Sequence, residues 1–89
     1  MFFVYALWSM KFDKIYVGMT SNLEVRIEDH NAGKSSYTRK FRPWVCFFSE
    51  KAISKEAALK KEKYYKSGWG RRKLISELEK WQSGRMHRS

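Results

Sequence analysis

Five side chains have more chemistry to offer than their surroundings require: Tyr5, Tyr16, Arg26, His30 and Glu62. A carboxylate can hold a hard divalent cation, a guanidinium can pair with an anionic oxygen, and phenols and an imidazole can hold or move protons. What they could do together depends on the elements that carry them.

Residues 2–8 and 15–19 alternate as strands around the break Ser9-Met10-Lys11-Phe12-Asp13-Lys14, which reads as a hairpin. Any even-length loop puts Tyr5 and Tyr16 on one face, because a one-residue slip moves a side chain across the sheet. Val4, Ala6, Trp8, Ile15 and Val17 fill the other face. Cross-strand tyrosines are also ordinary packing units, so the pair alone does not identify a site. Next, Ser21 and Glu24 fit a capping box that opens a helix over residues 22–30, and Gly33 suits its C-terminal cap. Leu23, Ile27 and His30 make its inner stripe with Arg26 at the edge, where a surface cation and a boundary histidine are the plain alternatives.

Residues 34–43 read as a loop in which Lys34, Arg39, Lys40 and Arg42 surround Tyr37, suited to a phosphate backbone or simply to solvent. A third strand over residues 44–49 is apolar enough to be covered on both faces. Ser54 caps a second helix over residues 55–66, in which Ala58, Leu59 and Tyr65 mark the buried side. Glu62 falls between them, and a carboxylate within an apolar arc is costly unless it is paired with a cation or bound to a metal. Gly68 suits the end of that helix. Gly70 opens a third, with Leu74, Ile75, Leu78 and Trp81 inward and Arg71, Arg72 and Lys73 in the first turn. Cations there oppose the helix dipole but favour an incoming phosphate, unless the helix starts later. Residues 1–82 are expected to form one domain and residues 83–89 a basic tail.

The net charge of +10 on 89 residues is expensive self-repulsion that a polyanion relieves, and the interleaved aromatics favour nucleic acid over a membrane surface. Charge does not separate DNA from RNA. The single cysteine, Cys46, lies in the apolar run of residues 44–48 and reads as a buried small residue in a reducing compartment. No apolar run approaches a membrane span, so a cytoplasmic protein is expected, taken as a monomer.

Taken together, the ordered set resembles the GIY-YIG nuclease superfamily, in its small stand-alone bacterial (YhbQ-like) branch. Phe3-Val4-Tyr5 stands for the GIY element and Tyr16-Val17-Gly18 for the YIG element. The segment from Asn22 to Arg26, with His30-Asn31, stands for the helix carrying the family arginine, and the segment holding Glu62 for the helix carrying its glutamate. Phe3 and Val17 depart from the pattern without removing a reactive group.

The resemblance implies an α+β fold, a three-stranded antiparallel sheet flanked by three helices in the order β-β-α-β-α-α. It also implies phosphodiester hydrolysis in DNA with one divalent metal, Mg2+ or Mn2+, on Glu62, in repair or recombination. Arg26 would pair with a phosphate oxygen, Tyr16 would orient or deprotonate water, and Tyr5 and His30 would assist. Either phenol could be the base. A nucleic-acid-binding module of the same fold with little turnover is the alternative; a basic ribosome-associated protein would leave Glu62 unexplained.

Overall fold

The computed structural model describes residues 1–86; residues 87–89, the end of the expected tail, lie outside the described residues. Strand β1 (Phe2–Ser9) pairs antiparallel with β2 (Lys14–Thr20), with Tyr5 opposite Gly18 and Leu7 opposite Tyr16. Strand β3 (Val45–Ala52) pairs antiparallel with the other edge of β1, so the sheet order is β2-β1-β3. As the central strand, β1 buries both faces, which accounts for its almost unbroken apolar sequence.

Helix α1 (Leu23–Ala32) and a short 3-10 turn (Thr38–Phe41) accompany one face, and α2 (Lys55–Lys66) and α3 (Gly68–Met86) cover the other. Val4, Ala6, Trp8 and Val17 pack with Ala58, Tyr65, Leu74 and Leu78 on the α2–α3 side. Tyr5, Leu7 and Trp44 pack with Tyr16, Leu23, Ile27 and Phe41 on the α1 side. The hairpin register expected from the alternation therefore holds, and the α+β class with three strands and three helices is the observed one.

Several local expectations are corrected. The cap of α1 is Asn22, not Ser21: its carboxamide accepts from the Val25 N–H, while Thr20 Oγ1 fixes the Asn22 N–H. The loop of residues 34–43 contains the 3-10 turn, and β3 begins at Val45 and runs on to Ala52, because Trp44 is held from α1 instead. Leu59 and Ile75 are about half exposed rather than inward. Ser67, not Gly68, caps α2, and α3 starts at Gly68 and continues through residues 83–86 of the expected tail.

A single residue thus joins α2 to α3. Ser67 closes the first helix through its N–H to the Tyr64 carbonyl, and its own carbonyl accepts from the Arg71 N–H. The two helices meet so closely that a Cβ on Gly70 would lie 2.0 Å from the Tyr64 carbonyl oxygen and 2.5 Å from the Tyr65 Cα. Backbone cannot swing aside as a side chain can. On the same side of the sheet Glu50 accepts from the Tyr65 hydroxyl and, at 2.6 Å, from Lys61 Nζ, tying β3 to α2.

Two stability predictions follow from these contacts. Gly70→Ala gains up to about 1 kcal/mol of helix propensity but forces an overpacking penalty of roughly 1–3 kcal/mol, so it should lower Tm. Gly84→Ala, which meets nothing within 4 Å, should raise Tm or leave it unchanged; equal melts for the two variants would refute the close packing. Lys61 and Tyr65 hold the Glu50 carboxyl below its ordinary value, so its contribution is present above the unfolded carboxyl pKa and is lost as pH falls through the lowered folded one. Thermal melts in acid should accordingly show a shallower loss for Glu50→Gln than for the wild type.

Candidate functional site

Of the five residues Tyr5, Tyr16 and His30 touch one another, and the charges of Arg26 and Glu62 act on the Tyr5 phenol. Tyr5 lies on β1 with 1% of its surface exposed, and its ring extends over the opposite residue on β2, where a Cβ on Gly18 would come within 2.6 Å of the Tyr5 hydroxyl. Gly18 is therefore the space the phenol occupies. Tyr16, two places away on the same face, brings its ring within 6.4 Å of Tyr5 and 5.0 Å of His30.

Both α1 residues act on the Tyr5 hydroxyl. His30 Nε2 lies 2.8 Å from it, and the Arg26 guanidinium acts on it through its charge. The other imidazole nitrogen, Nδ1, lies 2.7 Å from Thr38 Oγ1, so a neutral ring donates to one of these two hydroxyls and accepts from the other. Burial first, then the neighbouring Tyr16 and, more weakly, the Glu62 charge, push Tyr5 up to about 12 against the opposing pull of Arg26. Burial, and then the Arg26 charge, push His30 below its ordinary 6.5, so the ring is neutral at neutral pH.

Thr38, fully buried, was missed in the sequence, where it is one hydroxyl in a basic loop. Trp44 holds it in place, its indole N–H donating to the Thr38 carbonyl at 2.8 Å. Asn31 in turn pins Trp44, its carboxamide accepting from the Trp44 N–H and donating to the Trp44 carbonyl. The only sequence signal for this clamp is the neighbourhood of Asn31 and His30.

Glu62 comes from α2, near enough for its charge to act on Tyr5. Its side chain is 20% exposed, and its partner is Lys66 one turn on, at 3.2 Å, itself 55% exposed. A surface pair of that kind contributes at most about 1 kcal/mol, too little to prevent a divalent cation from taking its place. Among the described residues no three His, Cys, Asp or Glu side chains gather as a metal cage. The donor set is one carboxylate, which fits a hydrated Mg2+-like ion completed by substrate oxygens and does not fit a pair of metals.

The expected backbone-binding residues divide into two groups. Lys34 is paired with Asp29 at 3.4 Å, and Arg42 donates to the carbonyls of Arg39 and Asn31, so both have structural work. Arg39 and Lys40 are exposed on the 3-10 turn, and the Tyr37 ring lies tilted between those of Tyr16 and Phe41. Arg71, Arg72 and Lys73 are exposed on α3; Arg72 lies over the exposed Trp69, and Lys73 over the Tyr65 ring.

Residues 1–74 match the family model described as the GIY-YIG catalytic domain. A UPF0213 protein of Staphylococcus haemolyticus is 43% identical over 53 residues, 58% of this chain and 65% of that protein, so the match spans just under two thirds of that relative. A UPF0213 protein of Natronomonas pharaonis is 38% identical over 66 residues, 73% of this chain and 76% of that protein. The solution NMR structure of a UPF0213 protein from Bacillus halodurans aligns with a TM-score of 0.51 at 32% identity, covering 85% of this chain and 84% of that one. Among the described residues no helix is long and apolar enough to cross a membrane. With a GIY-YIG match running from the hairpin through α2 into α3, and relatives alike in sequence and fold, the chain belongs to the GIY-YIG family of nucleases.

Proposed function

We propose that the chain is a metal-dependent DNA endonuclease that hydrolyses phosphodiester bonds at the Tyr5 cluster, in repair or recombination. The observation that carries this reading is the Tyr5 hydroxyl itself, on which Arg26, His30, Tyr16 and Glu62 all act although they come from three separate elements. A structural role for one buried phenol needs one or two partners, not a cation, a carboxylate and a second phenol.

Hydrolysis adds water to phosphorus and breaks the bond to a sugar oxygen, so one proton must leave the water and one must reach the departing oxygen. Tyr5 is poorly suited to take the first proton, since it is buried, pushed up to about 12 and already hydrogen-bonded to His30. Tyr16, partly exposed beside it, is the phenol that reaches water and orients or deprotonates it. Arg26 pairs with a non-bridging phosphate oxygen as charge develops there. Tyr5 and His30 keep Arg26 and Tyr16 in register, with Thr38 holding the imidazole in place. Glu62 would hold the divalent ion, whose chemistry when bound is to neutralise charge on the phosphate and the leaving oxygen.

The Lys66 ammonium on Glu62 gives the second reading some support: a nucleic-acid-binding module of this fold whose carboxylate stays in an ion pair and turns over little by itself. Cleavage assays on single-stranded, duplex and branched DNA with Mg2+ or Mn2+ separate the two. The nuclease reading expects cutting by the wild type, with losses on the order of 10²–10³ for Arg26→Ala, as for removal of a transition-state donor, and a comparable loss for Glu62→Ala. DNA binding without cutting in all three proteins would leave the module. The pH profile is a separate test: because burial and the Arg26 charge hold His30 below its ordinary 6.5 and the proposed role needs the neutral ring, the acid limb of the cleavage rate should fall below 6.5, and a limb above that value would refute the role given to His30.

A further inference from the structure

The hairpin turn between β1 and β2 carries a phenylalanine where a solvated link would be expected. Phe12 is 43% exposed and belongs to neither core cluster. It is nevertheless held in place. Asp13 takes the left-handed conformation at φ 52 and accepts from the Trp8 indole N–H, while the Phe12 N–H donates to the Oγ of buried Ser9. The turn spends four residues presenting an aromatic ring to water.

That ring begins a file that ends at the candidate site. Phe12 stands edge-on to Phe41 at 5.3 Å, Phe41 meets Tyr37 at 5.2 Å, Tyr37 meets Tyr16 at 6.3 Å, and Tyr16 meets Tyr5 at 6.4 Å. Cations flank it: Lys14 Nζ lies 4.9 Å from the Phe41 centroid and Lys11 Nζ 5.7 Å from that of Phe12, with Arg39 and Lys40 exposed on the turn that carries Phe41.

Resting on the proposed function, we infer that the file Phe12–Phe41–Tyr37 is a binding track for an unpaired DNA strand leading its scissile phosphate to Tyr16 and Arg26. Phe12 and Tyr37, 43% and 49% exposed, can take bases by stacking, with half-buried Phe41 joining them, and the lysines and arginines beside them take phosphates. Bases within a duplex are already stacked and offer only their edges in the grooves, so such rings give a duplex nothing that the cations alone do not. Charge complementarity supplies the rest, since the chain carries +10.

The test is binding, by fluorescence anisotropy without divalent ions, of a labelled single-stranded DNA oligonucleotide, the duplex made by annealing its complement, and an RNA strand of the same sequence. At equal salt the DNA single strand should bind more tightly than the duplex. Phe12→Ala should weaken single-strand binding about 5- to 100-fold, the effect of losing one stacking platform, while leaving duplex binding within about twofold. Phe12→Tyr, which keeps the ring, should bind as the wild type does, and unchanged melts will show that both variants fold. Equal or tighter binding of the duplex, tighter binding of the RNA strand, or an alanine variant that loses nothing or loses both DNA forms alike overturns the track. Cleavage of duplex or branched DNA by the same protein would then leave the nuclease reading standing, whereas failure to bind any form overturns both.

Discussion

A phenol that is 99% out of water must have its oxygen and its hydrogen satisfied by protein, and Tyr5 is that phenol. It shares a hydrogen bond with His30 and lies in the field of Arg26, so one turn of α1 is tied to β1 through a single hydroxyl. The requirement propagates outward. Neutral His30 has a second nitrogen to satisfy, which calls for Thr38; Thr38 must be held, which calls for the Trp44 indole; and Trp44 is held at both of its backbone groups by Asn31, the residue after His30. The chain of bonds returns to the helix from which it started. Among the described residues no buried side-chain polar atom is left without a partner. A half-satisfied network at this depth would cost more than an apolar core in its place.

The sheet separates this polar circuit from the packing that stabilises the fold. On the α2–α3 side the core is apolar, apart from the Glu50 bridge to Lys61 and Tyr65 at its margin. Burying one large aliphatic side chain such as Leu74 contributes roughly 1.5–3 kcal/mol, comparable to several net hydrogen bonds of about 1 kcal/mol each. The Tyr5 face can therefore be specialised for placing groups, because the other face supplies much of the stability.

Alternation of side chains was legible because it is a local consequence of the pleat: Tyr5 with Tyr16 on one face and Val4, Ala6 and Val17 on the other needed only the period of two. The same holds for the Ser54 cap and the left-handed Gly33 cap, where backbone chemistry names the residue. Thr38 and Trp44 could not be found this way. Their roles depend on distances closed by the tertiary fold, and no spacing rule connects a loop threonine to a helix histidine eight residues earlier. The Ser21 capping expectation failed for a subtler reason: Thr20, Ser21 and Asn22 are all competent caps, and the amide that reaches the third helical N–H wins. Leu59 and Ile75 were assigned inward from helical period alone, which cannot say how wide a stripe the neighbouring elements cover. Phe12 was hidden by the same habit, since a residue inside a turn is read as connector.

Glu62 raises the hardest geometrical question, because α2 packs its Ala58 and Tyr65 against the face of the sheet opposite Tyr5. The answer lies in the strand order. β2 is an edge strand, and α2 lies against it as well as against β1. A carboxylate on the side of α2 can act around that edge on a phenol that reaches over the edge strand from the other face, provided nothing stands between them. The residue under the phenol on β2 is Gly18, and any Cβ there would collide with the Tyr5 hydroxyl. Gly18 thus does more than permit a tight backbone. By letting the Tyr5 ring lie across the edge strand, it leaves the phenol open to the field of Glu62 on α2, which is what the proposed shared site requires.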